Sequence, residues 1–248
     1  MYAPPDWYTT FFTGLAVEMW LKAMPPEATA AEVAWLRAKL KSPPPARLLD
    51  VPCGGGRHSI ALAAAGYSMT GVDLSNDFLQ TAKNAGPTID WQQREMTDLP
   101  WTNTFDGAFC FGNSFGYLPD AENARFLRAV SATLKPGARF IMDYGAVMEA
   151  LASTFMPTGA YVFGDIHYER NGRYDAATGR IVVEHSHTRA GLTESKVMTQ
   201  RVYTYRELCE LLTAAGFIDM QGYGGLNDEP FTLGSKRLLL VATKAKNE

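Results

Sequence analysis

The residues in this chain best suited to chemistry gather around three glycines. In Leu48-Leu49-Asp50-Val51-Pro52-Cys53-Gly54-Gly55-Gly56-Arg57-His58, an apolar run ending in an acid passes through a glycine loop into a helix start. Glycines let the backbone turn tightly and let a ligand approach the main chain, while the free N–H groups of the next helix favour an anionic group. Asp73 ends the following apolar run and is placed to accept hydrogen bonds from both hydroxyls of a ribose. Together these residues describe a nucleoside pocket. A dinucleotide fingerprint is a poor match, because counting from Gly54 and Gly56 puts Ser59 where its third glycine belongs. That makes a nicotinamide oxidoreductase the weakest option.

Other reactive side chains give less. Cys53, Cys110 and Cys209 are odd in number and lack CxxC spacing, so they suggest free thiols in a reducing compartment, not a disulfide framework or a cysteine zinc site. His185 and His187 lie two apart on one face of a strand, and two ligands do not make a metal site.

The elements that must position the pocket alternate. Arg47 to Val51, Ser68 to Val72, Ile89 to Gln92, Phe105 to Phe111 and Ala138 to Asp143 read as strands. Helices His58 to Ala65, Asn76 to Asn84 and Ala121 to Leu134 lie between them, and the pattern describes βαβ units on a parallel sheet. A turn at Lys135-Pro136-Gly137 precedes the fifth strand. Residues 161–203 read as antiparallel hairpins with turns at Asn171-Gly172 and Ala177-Thr178-Gly179. Helix Tyr205 to Ala215 and strands Phe217 to Tyr223 and Arg237 to Thr243 close the chain. Upstream, an aromatic segment around Trp7, Tyr8, Phe11 and Phe12 and the stretch Glu27 to Lys41 show helical periodicity, and Pro43-Pro44-Pro45 ends them as a linker. The expected organisation is a helical cap or lid over 1–45 and one α/β domain over 46–248, with 155–203 as a β-rich insertion.

The 248 residues carry 26 acidic against 23 basic side chains, a net charge of −3, with 46% hydrophobic and 20% charged residues. This is the mix of a globular protein with a sizeable core. No basic run supports nucleic-acid binding, and no apolar stretch approaches the roughly 20 residues of a membrane span. A cytoplasmic protein with neither nucleic-acid nor membrane partners is expected.

Beyond the glycine loop, the sequence resembles the class I S-adenosylmethionine-dependent methyltransferases, whose first motif is an acid followed by G-x-G-x-G. Pro52 replaces the first glycine. Further matches follow in order: Asp73 as the ribose acid; Arg94-Glu95-Met96-Thr97-Asp98-Leu99-Pro100-Trp101, with Glu95 where Asp is more usual; Phe105 to Tyr117 as the fourth-strand motif; and the turns at Leu134 to Ala138 and Leu212 to Phe217. The resemblance covers roughly 47–144 and 203–244. It implies a Rossmann-like seven-stranded sheet with helices on both faces and S-adenosylmethionine as cofactor. Asp50, Cys53, Gly54, Gly56, Asp73, Leu74, Glu95, Met96, Phe111, Gly112 and Asn113 would line the cofactor site. Tyr8, Ser114 and Tyr117 would meet the acceptor.

Methyl transfer from a sulfonium is an in-line displacement, so positioning can replace a nucleophilic side chain. Cys53 and Cys110 are then small packed residues. Tyr117 and His167 are the candidate catalytic groups, with His185 and His187 as further titrating side chains near neutral pH; the alternative is a packed aromatic for Tyr117 and exposed hairpin positions for the histidines. The aromatic N-terminus suits a lid excluding water, or simple packing on the sheet. The expected function is methyl transfer to an N or O atom of a small-molecule acceptor. Its alternatives are a protein methyltransferase and a non-catalytic cofactor-binding or dimerisation module. Hairpin edges at 161–203 suit a homodimer.

Overall fold

Leu48 and Leu49 point to opposite faces of β1 (Arg47–Asp50), and the fold grows from that alternation. In a computed structural model describing residues 3–246, seven strands form one sheet in the order β10-β11-β5-β4-β1-β2-β3. The strands are β2 (Ser68–Asp73), β3 (Asp90–Gln93), β4 (Phe105–Cys110), β5 (Leu134–Tyr144), β10 (Phe217–Tyr223) and β11 (Leu238–Lys244). The pairings from β3 through β5 are parallel, while β11 runs antiparallel to both β5 and β10. Lys135-Pro136-Gly137, expected as a turn, lies inside β5, where the register with β4 shifts between Phe105 and Gly107.

Each sheet face buries its own helices. Leu48, Phe109, Ile141, Leu239 and Val241 pack against α3 (Pro26–Leu40) and α4 (Arg57–Ala64). Leu49, Ala108, Cys110, Phe140 and Met142 pack against α6 (Asp120–Thr133) and α8 (Tyr205–Ala214). The period-2 alternation that makes these strands is what gives the sheet two apolar faces. Helix α5 (Asn76–Ala85) follows β2, with Ser75 as its cap. Helix α7 (Met148–Thr154) was not anticipated; it is only seven residues long, too short for a periodic signal.

The hairpin region is a separate four-stranded antiparallel sheet of β6 (Thr158–Phe163), β7 (Ile166–Asp175), β8 (Arg180–Arg189) and β9 (Leu192–Arg201). Asn171-Gly172 is no turn. Both residues sit within β7, paired with Glu184 and Val183, because the in-and-out alternation of Ile166, Tyr168 and Arg170 runs straight through them. The expected turn at Ala177-Thr178-Gly179 is present, within residues 176–179, and the others fall at 164–165 and 190–191.

The N-terminal helices α1 (Tyr8–Phe11) and α2 (Leu15–Ala23) pack against the inner face of this small sheet. Phe11 and Trp7 meet Met198, and Met19 meets Ile166 and Tyr168. Lys196 of β9 holds the segment by donating to the carbonyls of Phe11 at 2.8 Å and Thr13 at 2.7 Å. No helix among the described residues is long and apolar enough to cross a membrane.

Candidate functional site

The carboxyl ends of β1, β2 and β4 converge where the strand order reverses, the place at which open α/β sheets bind ligands. The loop after β1 is closed by Cys53 N–H donating to Val72 at 2.8 Å and by Gly56 N–H donating to Cys53 at 3.0 Å. Gly54, at φ +53°, has nothing within 4 Å of where a Cβ would stand. Gly112, just after β4 at φ +93°, is open in the same way. These two positions make a cradle that any side chain would fill. Gly56 differs. A Cβ there would run into the Trp91 ring, so its lack of a side chain makes room for packing, while a Cβ at Gly55 would meet Leu21 of α2.

Asp73 stands beside the cradle, buried, accepting from Gly54 N–H at 2.7 Å and Ser75 N–H at 2.8 Å. A carboxylate has about four acceptor sites, so two remain for a diol. Burial pushes its carboxyl up to about 6 despite those backbone hydrogen bonds. Asp50 is pushed up to about 7, also by burial, and accepts from Ser59 at 2.7 Å. It therefore fastens α4 to β1 from beneath the loop. The Cys53 and Cys110 thiols are both buried, and burial raises both, which suits packing and not nucleophilic work. With an open glycine cradle and a buried acid whose acceptor sites are not all taken, these residues fit S-adenosylmethionine.

Leu74 is half-buried and accepts from Gln93 through its carbonyl, whereas Glu95 is exposed and its carbonyl anchors the turn at Asp98. The Met96 side chain packs on the main core. Phe111 turns away from the cradle, its ring 5.1 Å from that of His58 and 5.5 Å from the Arg237 guanidinium; of Phe111, only the backbone is left to face the cradle.

After β4 the chain is clamped by the hairpin sheet. Gln200 donates to Phe115 at 2.6 Å and to the Asn113 carbonyl at 2.9 Å, and Arg180 donates to the carbonyls of Gly116 and Tyr117 at 3.0 Å each. Asn113 accepts from Gly145 N–H at 2.7 Å through its side chain. This clamp opens a cavity of about 210 Å³ whose walls include Asn113, Gly145, Phe155, Arg170, Ile181 and Val183.

Tyr117 lies among the N-terminal aromatics, 5.0 Å from Trp7 and 6.0 Å from Phe12 between ring centres. Burial, then the neighbouring Cys110, raises its phenol, and the hydrogen bond with Ser114 only partly offsets this. Tyr8 is half-buried, its phenol raised by burial and by Glu95.

His167 does not join this group. It is exposed on the outer face of β7, because strand alternation turns it opposite to buried Ile166 and Tyr168. His185 and His187, for which exposure was the alternative, are both buried on the inner face. His185 shares a 2.8 Å hydrogen bond with the Tyr168 hydroxyl through Nδ1, and burial, then His187 and Arg170, holds it down at about 3.

The sequence reading passed over Arg170 and Gln200. The signal was present in the alternation of β7 and β9, which turns both polar residues inward. It also passed over buried Glu32 of α3, which meets His58 at 2.9 Å, Arg57 at 2.6 Å and Arg237 at 3.3 Å.

Residues 48–137 match the family described as methyltransferase domain. Glycine N-methyltransferase of Rattus norvegicus is 31% identical over 173 residues, covering 62% of this chain and 58% of that protein. The chain thus spans less than two thirds of that relative. Among solved structures, an S-adenosylmethionine-dependent methyltransferase from Clostridium acetobutylicum superimposes with a TM-score of 0.77 at 17% identity, covering 92% of this chain and 96% of that one. An amino pentose methyltransferase from Micromonospora echinaspora, solved with S-adenosylmethionine bound, gives 0.73 at 22%, covering 94% and 98%. With the match lying on the glycine loop, Asp73 and β4, residues 48–137 correspond to a methyltransferase domain, and the chain has the fold of the S-adenosylmethionine-dependent methyltransferases.

Proposed function

We propose that this chain transfers a methyl group from S-adenosylmethionine to a nitrogen atom of a small-molecule acceptor. The observation that carries the reading is the cavity of about 210 Å³ between Asn113 and Gly145 at the strand ends and Arg170, Ile181 and Val183 of the hairpin sheet. It adjoins the Gly54–Gly112 cradle through Asn113, the residue after Gly112. At below the roughly 300 to 1,000 Å³ of ordinary ligand pockets, it suits a compact molecule and not a protein segment.

Bound in the cradle, the cofactor supplies an electrophilic methyl group on a sulfonium with a neutral thioether as leaving group. Asp73 would hold the ribose, Gly54 would let the backbone approach, and the backbone at Glu95 and Met96 would meet the base. Of residues 1–45, α1 and α2 act as the cap over this site while α3 packs on the main sheet, and 155–203 act as an insertion that shapes the acceptor end of the 46–248 domain. Trp7, Phe11 and Phe12 exclude water, and Asn113, Ser114 and Tyr8 orient the acceptor, contributions that can reach about 7 to 11 kcal/mol of barrier lowering.

A nitrogen acceptor is favoured because the side chains here are poor bases. Tyr117 is raised by burial, and His185 is held at about 3. A free amine brings its own lone pair and releases its proton to water afterwards, whereas a hydroxyl needs a base. Two of the similar proteins support this reading, a glycine N-methyltransferase in sequence and an amino pentose methyltransferase in structure, although a ubiquinone biosynthesis O-methyltransferase is also similar in sequence.

The test is titration calorimetry with S-adenosylmethionine, followed by methyl transfer to paired amines and alcohols. Binding with transfer to amines is expected. Transfer to alcohols alone would overturn the nitrogen assignment, and no cofactor binding at millimolar concentration would overturn the whole reading.

A further inference from the structure

Arg170 projects from the inner face of β7 into the wall of the acceptor cavity. Its cross-strand neighbours are Gly159, which has no side chain, and His185, a buried imidazole that offers no negative charge. The guanidinium carbon lies 5.9 Å from the centre of the Tyr161 ring. A ring face steadies a guanidinium while leaving its N–H edges free for a planar anion. Its Nε is buried without a hydrogen-bond partner among the described residues.

Three other arginines folded against the body of the protein each reach a carboxylate. Arg201 reaches Asp120 at 3.2 Å, Arg237 reaches Glu32 at 3.3 Å, and Arg180 reaches Asp120 at 3.9 Å. No carboxylate lies within 4.0 Å of Arg170 among the described residues. A part-buried cation without a counter-charge is costly, and here it faces a cavity instead of a protein acid.

Resting on the methyltransferase reading above, we infer that Arg170 is an anion-binding specificity residue, and that the acceptor is a small amine carrying a carboxylate or phosphate. The cavity has two chemically different ends. Asn113 and Gly145 border the cradle, where the amine belongs, and Arg170 with Gly172 and Val183 forms the wall on the hairpin sheet, where the anion belongs. Guanidinium forks match both carboxylate and phosphate in bidentate geometry, so the two sources share one recognition chemistry. The cavity volume limits the acceptor to roughly the size of an amino acid or a small aromatic acid.

The experiment titrates the S-adenosylhomocysteine-loaded protein with matched pairs: 4-aminobutyrate and 4-aminobutyramide, 3-aminobenzoate and 3-aminobenzamide, ethanolamine phosphate and ethanolamine. The expected result is that at least one anionic member binds about ten- to a hundredfold tighter than its neutral counterpart, the loss expected of one charged hydrogen-bonding group. Whether that member is a carboxylate or the phosphate identifies the source. Arg170→Gln should abolish the preference and Arg170→Lys should retain part of it, with S-adenosylhomocysteine affinity unchanged in both as the check on folding. Equal binding of neutral and anionic members, no binding by any anionic member, or an undiminished preference in Arg170→Gln would overturn the proposal. Arg170-dependent anion binding without methyl transfer to any amine would leave the Arg170 assignment standing and defeat the proposed function instead.

Discussion

The Ser75 hydroxyl donates a 2.6 Å hydrogen bond to the Phe12 carbonyl while accepting from Phe78 N–H at 3.3 Å as the cap of α5. One side chain thus starts the helix after Asp73 and fastens the aromatic N-terminal segment beside it. Gly14 N–H adds a 3.1 Å bond to Asp77 in the first turn of the same helix. Ser75→Ala should cost about 1 kcal/mol, the ordinary loss of a cap. Amide exchange should accelerate at residues 12–14 as well as in the first turn of α5. Faster exchange in the helix alone would mean that the Phe12 contact does not hold the segment down.

Gly112 combines φ +93° with open space at its missing Cβ. In Gly112→Ala the backbone strain costs roughly 1 kcal/mol, since no neighbour is displaced. The added methyl group enters the cradle, so affinity for S-adenosylmethionine should fall at least about tenfold, a loss of some 1.4 kcal/mol. Calorimetry and a thermal melt separate the two effects. A variant that melts lower but binds normally would remove Gly112 from the cofactor site.

Asp73 gives the site a pH dependence of definite sign. Burial raises its carboxyl to about 6 in the cofactor-free protein, and ribose hydroxyls favour the ionised form. Affinity for S-adenosylmethionine should therefore be full above about pH 7 and decline as pH falls through 6, because a proton must leave for the hydroxyls to bind. Asp73→Asn should bind roughly ten- to 150-fold more weakly at pH 8, from loss of a charged partner, and should lack the decline near 6. Calorimetry between pH 5 and 8 measures both.

Tyr117 is expected to position and not to titrate. Its phenol is raised by burial and faces Trp7 and Phe12. Tyr117→Phe should reduce kcat/KM by less than about tenfold, the weight of one neutral hydrogen bond, with an unchanged pH profile. Loss of an ionisation from the profile would restore Tyr117 as a base.

The geometry of the candidate cofactor half of this site was legible in the sequence because it is written in local segments. Glycines, an acid at a strand end and a strand-to-helix turn specify the Asp50–Gly56 loop and Asp73 from residues close in the chain. The acceptor half was not, since it depends on contacts across long separations, such as Gln200 with Asn113 and Arg180 with Gly116. Strand parity was the decisive unread quantity in the hairpins: it turns His167 outward, brings His185 and Arg170 inward, and carries Asn171-Gly172 through a strand interior. Phe111 shows the same limit within a motif, because alternation on β4 sends its ring to the α3 side of the sheet.

Glu32 supplies a second pH-dependent prediction, of stability instead of binding. It is buried on α3 and meets His58 and Arg57 of α4 and Arg237. Burial pushes its carboxyl up, but the hydrogen bond from His58 and the charge of Arg57 outweigh that and hold it at about 2. Because the folded-state value lies below the unfolded one of about 4.3, the stabilisation is full above that value and is lost as pH falls towards 2. Arg237 also reaches Asp143 at 3.5 Å, whose carboxylate accepts from Gly112 N–H at 3.1 Å. Glu32→Gln should cost about 2 to 4 kcal/mol at pH 7, less than orphaning fully buried charges because both arginines reach solvent. The gap between wild type and variant in urea denaturation should stay constant from pH 7 to about 5 and narrow progressively below it. A gap unchanged down to pH 3 would show that Glu32 acts through packing and not through its charge.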